Sequence, residues 1–291
     1  MKDIPKVNYD RRKQLDIEVL DFIQLSANLK KTRSHDPFSF HRIQFFLILI
    51  VTRGSYAHYV DFRRYKISAG SCLFIAKNQV HSFDRMLDHV EGICVVFNDL
   101  FANSDFLLQG NLQLNRLFNY HIESPILTQQ EMGLGGINDS IKELQREYML
   151  GDKANVNILR ALLHVLLLKA ERAKSSASPD REDSHWLEIF GKFKNNLESD
   201  YVSHRNSKVY ASNLFVSYKT LNEIVKRFTG KTTKKFIDEF VTVEVKRYLA
   251  STSLSIKEIS YKTGFDEPSN LVKFFKKQTG TTPLNFRQQL F

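Results

Sequence analysis

The sequence predicts a mixed, two-domain protein: an amino-terminal β-barrel or sandwich with a helical tail, then an all-α domain holding two helix-turn-helix units joined by a long helix. Three observations carry this. Short Ile-, Val-, Phe- and Tyr-rich runs separated by turn residues fill residues 41–97. A segment rich in Ser, Pro and charge, AKSSASPDREDS (173–184), has no apolar periodicity and reads as a linker. Beyond it the chain is helical in pattern and repeats itself at a spacing of 50 residues. The expected boundaries are therefore 1–172, a linker at 173–184, and 185–291.

In the first part, IQFFLILIVTRG, SYAHYVDFRRYKI, SCLFIAKNQVHSF and EGICVVF are strand-like, punctuated by Arg53-Gly54, Ala69-Gly70 and Lys77-Asn78. Closely spaced strands of this kind predict a sandwich or small barrel. The period then becomes helical, over Ile137 to Tyr148 and Val156 to Arg172. The second helix carries Leu159, Leu162, Leu163 and Leu166 on one face and further leucines beside them, so it must be covered on more than one side. The sheet is expected to cover one side and a second subunit another, which makes these four leucines the expected homodimer contacts. Cys72 and Cys94 lie in apolar runs, are too few for a disulfide scaffold, and read as small buried side chains of a protein from a reducing cytoplasm.

In the second part, LNEIVKRFTGKTTKKF (Leu221 to Phe236) aligns with LVKFFKKQTGTTPLNF (Leu271 to Phe286). Each copy reads as a short helix, a tight turn and a second amphipathic helix. In the first copy Val209 to Leu214 leads through Phe215-Val216-Ser217 into Tyr218 to Phe228. In the second, Ile256 to Lys262 leads through Thr263-Gly264-Phe265 into Glu267 to Gln278. Gly264 supplies a positive φ, and Ser217 and Asp266 are the expected N-caps. Leu221, Ile224, Val225 and Phe228, and Leu271, Phe274 and Phe275, are expected to face inward, leaving polar faces that bear Lys and Asn. Such a face suits a DNA major groove, Asn pairing adenine and Lys reaching guanine or phosphate. Between the copies, about Thr233 to Ala250 reads as a helix of some 18 residues, roughly 27 Å long, against about 34 Å for one turn of DNA. It is long enough to hold both second helices in successive major grooves.

Charge agrees with this division. The 291 residues carry 42 Lys plus Arg against 32 Asp plus Glu, a net of +10. From His185 onward the counts are 18 and 10, so +8 of that excess lies in the last third and selects nucleic acid over a membrane as the polyanionic partner. No apolar run is long enough to span a bilayer, and the first residues lack a secretory signal pattern.

The carboxyl-terminal part, about Glu198 to Arg287, resembles the DNA-binding domain of the AraC/XylS family of transcription regulators. The residues that carry the resemblance are Ala211, Leu214, Ser217, Leu221, the block KRFTGKTTKKFI, and SIKEISYKTGFDEPSNLVKFFKKQTGTTPLNFR from Ser255 to Arg287. Val225, Ser260 and Leu271 depart from the usual residues at core positions. By position, the resemblance implies base contacts from Lys219, Asn222 and Glu223 in the first unit and from Pro268, Ser269, Val272 and Lys273 in the second. Phosphate contacts fall to Tyr218, Lys226, Arg227, Lys276 and Lys277. It also implies an activator that contacts RNA polymerase.

The β-rich half looks like the cupin-type effector domain often joined to that DNA-binding domain, on Gly54, Gly70 and NQVHSF. A small-molecule effector of unspecified identity is then expected inside the barrel, with His41, Phe45, His58, His81 and Phe83 as contacts. The closely spaced His-x-His and following Glu of metal-binding cupins are missing, so a structural or effector role is preferred for the histidines. No metal, cofactor or catalytic residue is expected. The rival reading is a metal-dependent cupin enzyme with a DNA-binding tail.

Overall fold

A computed structural model describes residues 6–9, 15–32, 35–102, 117–118, 124–134, 136–176 and 184–289. The chain divides into two compact units between Arg181 and Glu182.

The amino-terminal unit is built from two five-stranded sheets. The strands are β1 (Lys6–Val7), β2 (Ile17–Asp21), β3 (His41–Ile43), β4 (Phe46–Arg53), β5 (Ser55–Val60), β6 (Arg63–Ser68), β7 (Cys72–Ile75), β8 (Val80–Ser82), β9 (Glu91–Phe97) and β10 (Ile126–Leu127). One sheet runs in the order β1-β3-β8-β5-β6 and the other β10-β7-β4-β9-β2. All pairings are antiparallel except β1 with β3. Helix α1 (Phe22–Lys31) follows β2, its Asp21 cap forming a capping box with Gln24.

The continuous apolar run of β4 is explained by burial on both faces. Leu47, Leu49 and Val51 join Ile43, Tyr56, Val60, Ile75 and Phe83 in the core between the sheets. Ile48 and Ile50 alternate with them and face a second core, where the outer side of the sheet meets the helices. Those helices are α2 (Asp99–Ala102), α3 (Gln129–Leu134), α4 (Ile137–Tyr148) and α5 (Val156–Ser176). The unit is thus sheet, sheet and helix in three layers.

Two expectations are corrected here. Leu159, Leu163 and Leu166 are at most 1% exposed and belong with Ile141, Leu144, Ile48 and Phe74 in the helix-side core, while Leu162 packs against the same core at partial burial. These leucines face their own sheet, so they do not form an outer surface. Also, α5 runs on to Ser176, with Ala173 buried in the core, so the start of the expected linker is helix. Of the rest, 177–183 lie outside the described residues, and Ser184 is the first residue of the next helix.

The carboxyl-terminal unit comprises α6 (Ser184–Asp200), α7 (Ser207–Asn213), α8 (Tyr218–Thr229), α9 (Thr233–Ser251), α10 (Ile256–Lys262), α11 (Pro268–Thr279) and α12 (Pro283–Gln289). Its first half closes on aromatics: Phe193 meets Tyr210 and Phe236 at ring-centre distances of 5.5 and 5.7 Å, and Phe190 meets Phe228 at 5.3 Å. Its second half closes on Phe275 against Phe286 at 5.6 Å and Phe265 against Phe274 at 5.2 Å. The long helix α9 is buried on both sides, including Phe236, Ile237, Val241, Val245 and Leu249.

Candidate nucleic-acid interface

Each helix-turn-helix unit is closed by local chemistry. In the first, the Ser217 hydroxyl accepts the Thr220 N–H at 3.0 Å, and α8 ends at Gly230 in the left-handed conformation. In the second, Ser255 and Glu258 form a capping box at the start of α10. The cap of α11 differs from expectation. It is Glu267, not Asp266, and Glu267 makes no side-chain cap bond; Pro268 occupies the first helical position, where its missing N–H costs nothing.

The inward and outward assignments are resolved side chain by side chain. Leu221, Ile224, Val225, Leu271 and Phe275 are fully buried, whereas Phe228 and Phe274 are half-buried. Lys219, Glu223, Lys226, Arg227, Ser269, Lys273, Lys276 and Lys277 are exposed, Tyr218 is 42% exposed, and Asn222, Pro268 and Val272 are partly exposed. Each of α8 and α11 therefore presents a polar, mostly basic strip from a helix whose opposite side is anchored in the core.

Asn222 has a structural task that its sequence position did not disclose. Its Oδ1 accepts the Thr233 N–H at 3.0 Å, satisfying an otherwise orphaned donor in the first turn of α9. A two-point pairing with adenine needs both the amide oxygen and nitrogen. With the oxygen on α9, only the Nδ2 donors can reach a base.

At the other end of α9, Arg287 Nε–H donates to the Leu249 carbonyl at 3.1 Å, and the Lys246 ammonium sits 5.4 Å from the Phe286 ring centre. Glu244 and Arg247, about 4–5% exposed, pair within the helix. The second turn is locked by Arg205, whose guanidinium lies 3.7 Å from the Phe265 ring centre and also donates to the Thr263 carbonyl. The Asn222–Thr233 bond ties α8 to the start of α9, and α12, whose Phe286 packs on Phe275 of α11, ties α11 to its far end; α9 is a rod about 28 Å long, from 19 residues at about 1.5 Å each.

The amino-terminal unit holds a different constellation. His41 and His81 face each other across β3 and β8, and Val60 faces His81 across β5 and β8, which directs both histidines and His58 into the space between the sheets. His58 Nε2 and His81 Nδ1 share a hydrogen bond at 3.1 Å, and the His41 and His81 rings lie 4.4 Å apart. Phe83 covers both His58 and His81 at 5.2 Å. Phe45 stands apart from this group and packs edge-on against Tyr9 at 6.4 Å.

Burial pushes the His41 imidazole down to about 4 and that of His58 to about 3, and holds His81 well below its ordinary range, so all three are neutral at physiological pH. His58 Nδ1, His81 Nε2 and the Tyr56 hydroxyl are buried without a hydrogen-bond partner. Whichever tautomers the shared bond selects, the pair leaves one unpaired donor and one unpaired acceptor in the interior. Tyr56 was missed by sequence reasoning, although the alternation of β5 places it on the face of His58. Among the described residues, no group of three or more His, Cys, Asp or Glu is placed to hold a metal ion, and no helix is long and apolar enough to cross a membrane.

A β-sandwich with polar groups turned inward, on a chain that also carries two helix-turn-helix units on one rod, defines a two-domain DNA-binding regulator. Comparison with known proteins agrees. Residues 31–87 match the AraC-like ligand binding domain and residues 210–289 a helix-turn-helix domain. In the kind and order of these two domains the chain is similar to the AraC/XylS family of transcription regulators.

Relatives include the HTH-type transcriptional activator RhaS of Citrobacter koseri, 22% identical over 85% of this chain and 87% of that protein. RhaS of Escherichia coli O139:H28 is 23% identical over the same shares. Among solved structures, ToxT from Vibrio cholerae aligns over 94% of this chain and 98% of its own, with 15% identity and a TM-score of 0.44. The DNA-binding domain of AdpA in complex with a target DNA aligns over 35% of this chain and 90% of its own, with 20% identity and a TM-score of 0.32.

Proposed function

We propose that this regulator activates transcription by laying α8 and α11 into two successive major grooves on one face of a promoter. The single observation that supports this is the fixing of both helices, basic strips outward, to the two ends of α9. Base reading falls to Lys219, Glu223 and the Asn222 amide nitrogen in the first groove and to Ser269 and Lys273 in the second. Pro268 lacks a donor and Val272 offers only apolar contact, so the second helix reads fewer positions. Tyr218, Lys226, Arg227, Lys276 and Lys277 hold phosphates, positioning the unit without specifying sequence.

Activation is supported by the RhaS relatives, which are transcriptional activators; contact with RNA polymerase and a place in the cytoplasm belong to the same proposal. Those relatives also favour a non-enzymatic chain over a metal-dependent enzyme, and stoichiometric metal in the purified protein would reverse that preference. The unpaired polar atoms of Tyr56, His58 and His81 suit a small polar effector. Homodimerisation is reassigned from the buried leucines to the opposite face of α5, where Ile158, Val165 and Leu168 are 47%, 41% and 49% exposed.

The test is selection from a random-sequence duplex pool by the full-length chain. A two-block motif with blocks one helical turn apart is expected. Enrichment of no sequence would refute the reading.

A further inference from the structure

The two helix-turn-helix turns differ at the one position where each backbone becomes left-handed. In the second unit that residue is Gly264, at φ +75°, where an added Cβ would lie 2.1 Å from the Val202 carbonyl oxygen. Backbone and neighbour both require glycine there. In the first unit the residue is Phe215, at φ +56°. Its side chain is 97% exposed, the highest value for a large apolar residue among those described.

A β-carbon disfavours this backbone region, and a ring in solvent contributes no packing. The fold itself would be served better by glycine, as its own second copy demonstrates. Phe215 stands two residues ahead of the Ser217 cap, at the end of α8 from which the exposed Tyr218 and Lys219 project. An apolar ring at the leading edge of a helix in the major groove has one specific base partner, the 5-methyl group of thymine.

We infer that Phe215 is a further specificity-determining residue, contacting a thymine methyl at the edge of the block read by α8. The inference rests on the reading that α8 enters a major groove. Its test uses the full-length chain and the duplex that chain selects from a random pool. Each thymine of the first block is replaced singly by deoxyuridine, which removes only the methyl, and each duplex is titrated with the parent and with Phe215→Gly. Trp186 fluorescence melts establish that the variant is folded.

One deoxyuridine is expected to weaken the parent about four-fold, the worth of one buried methyl-sized contact. Phe215→Gly should weaken binding to the intact duplex by a similar factor and be indifferent to that deoxyuridine. A parent indifferent to every replacement, or losses that multiply independently, would overturn the assignment. So would lost activation with unchanged duplex affinity, which would place the ring against a protein. Failure of the parent to select any duplex would instead refute the DNA-reading account, and the inference with it.

Discussion

Lowering the pH from 7.5 to 5.5 should destabilise the amino-terminal unit by about 4 kcal/mol. His41, His58 and His81 are neutral in the folded state because burial depresses their imidazoles to about 4, to about 3 and well below the ordinary range, whereas the unfolded chain titrates near 6.5. As the pH falls through 6.5 the unfolded state takes up protons that the folded state refuses, so stability falls with pH. Each histidine contributes about 1.4 kcal/mol at one pH unit below its unfolded value. Asp36, beside His41, does not offset this, since the Phe38 N–H holds its carboxyl below its ordinary range and it stays charged throughout the window. The assay is denaturant unfolding at each pH. β-Sheet circular dichroism follows the amino-terminal unit, and the fluorescence of the sole tryptophan, Trp186 in α6, follows the helical unit. A β-unit midpoint unchanged across this range, or imidazoles titrating near 6.5 in the folded protein, would refute the reasoning.

Three further outcomes are expected. Gly264→Ala should cost about 2–3 kcal/mol, read from the fluorescence melt, because the new methyl meets the Val202 carbonyl at a strained φ. Leu163→Ala should cost about 2–5 kcal/mol through a cavity in the helix-side core, whereas Leu168→Asp should leave stability nearly unchanged and convert a dimer to a monomer in sedimentation. Lys276→Ala should weaken binding to all sequences alike and reduce the salt slope by about 1, while Asn222→Ala should relax one base position and also cost about 1 kcal/mol of stability through the lost contact with α9.

Much of the architecture was legible because it follows from local periodicity. The 50-residue repeat, the tight turns at Phe215-Val216-Ser217 and Thr263-Gly264-Phe265 and the two-faced helices around Leu221 and Leu271 specify helix-turn-helix units without tertiary information. The errors arose where a local pattern admits two tertiary solutions. The leucines of α5 mark an apolar face, but periodicity does not say whether a sheet or a second subunit covers it; the outer side of the β4 sheet does. Asp266 is a good cap by type, but the proline at 268 sets the helix start and moves the cap to Glu267. Asn222 carries an amide at a base-reading position, and its partner Thr233 is 11 residues away across a turn, beyond any helical spacing rule. Tyr56 and His58 share a strand face by simple alternation, yet their unsatisfied atoms appear only once the second sheet closes over them.

The central claim is that one rigid rod presents two reading helices to one face of DNA. A hydroxyl-radical footprint of the full-length chain on its selected duplex tests this most directly. Two protected segments centred about one helical turn apart, both on the same face, are predicted. A single protected segment, or two on opposite faces of the duplex, would contradict it.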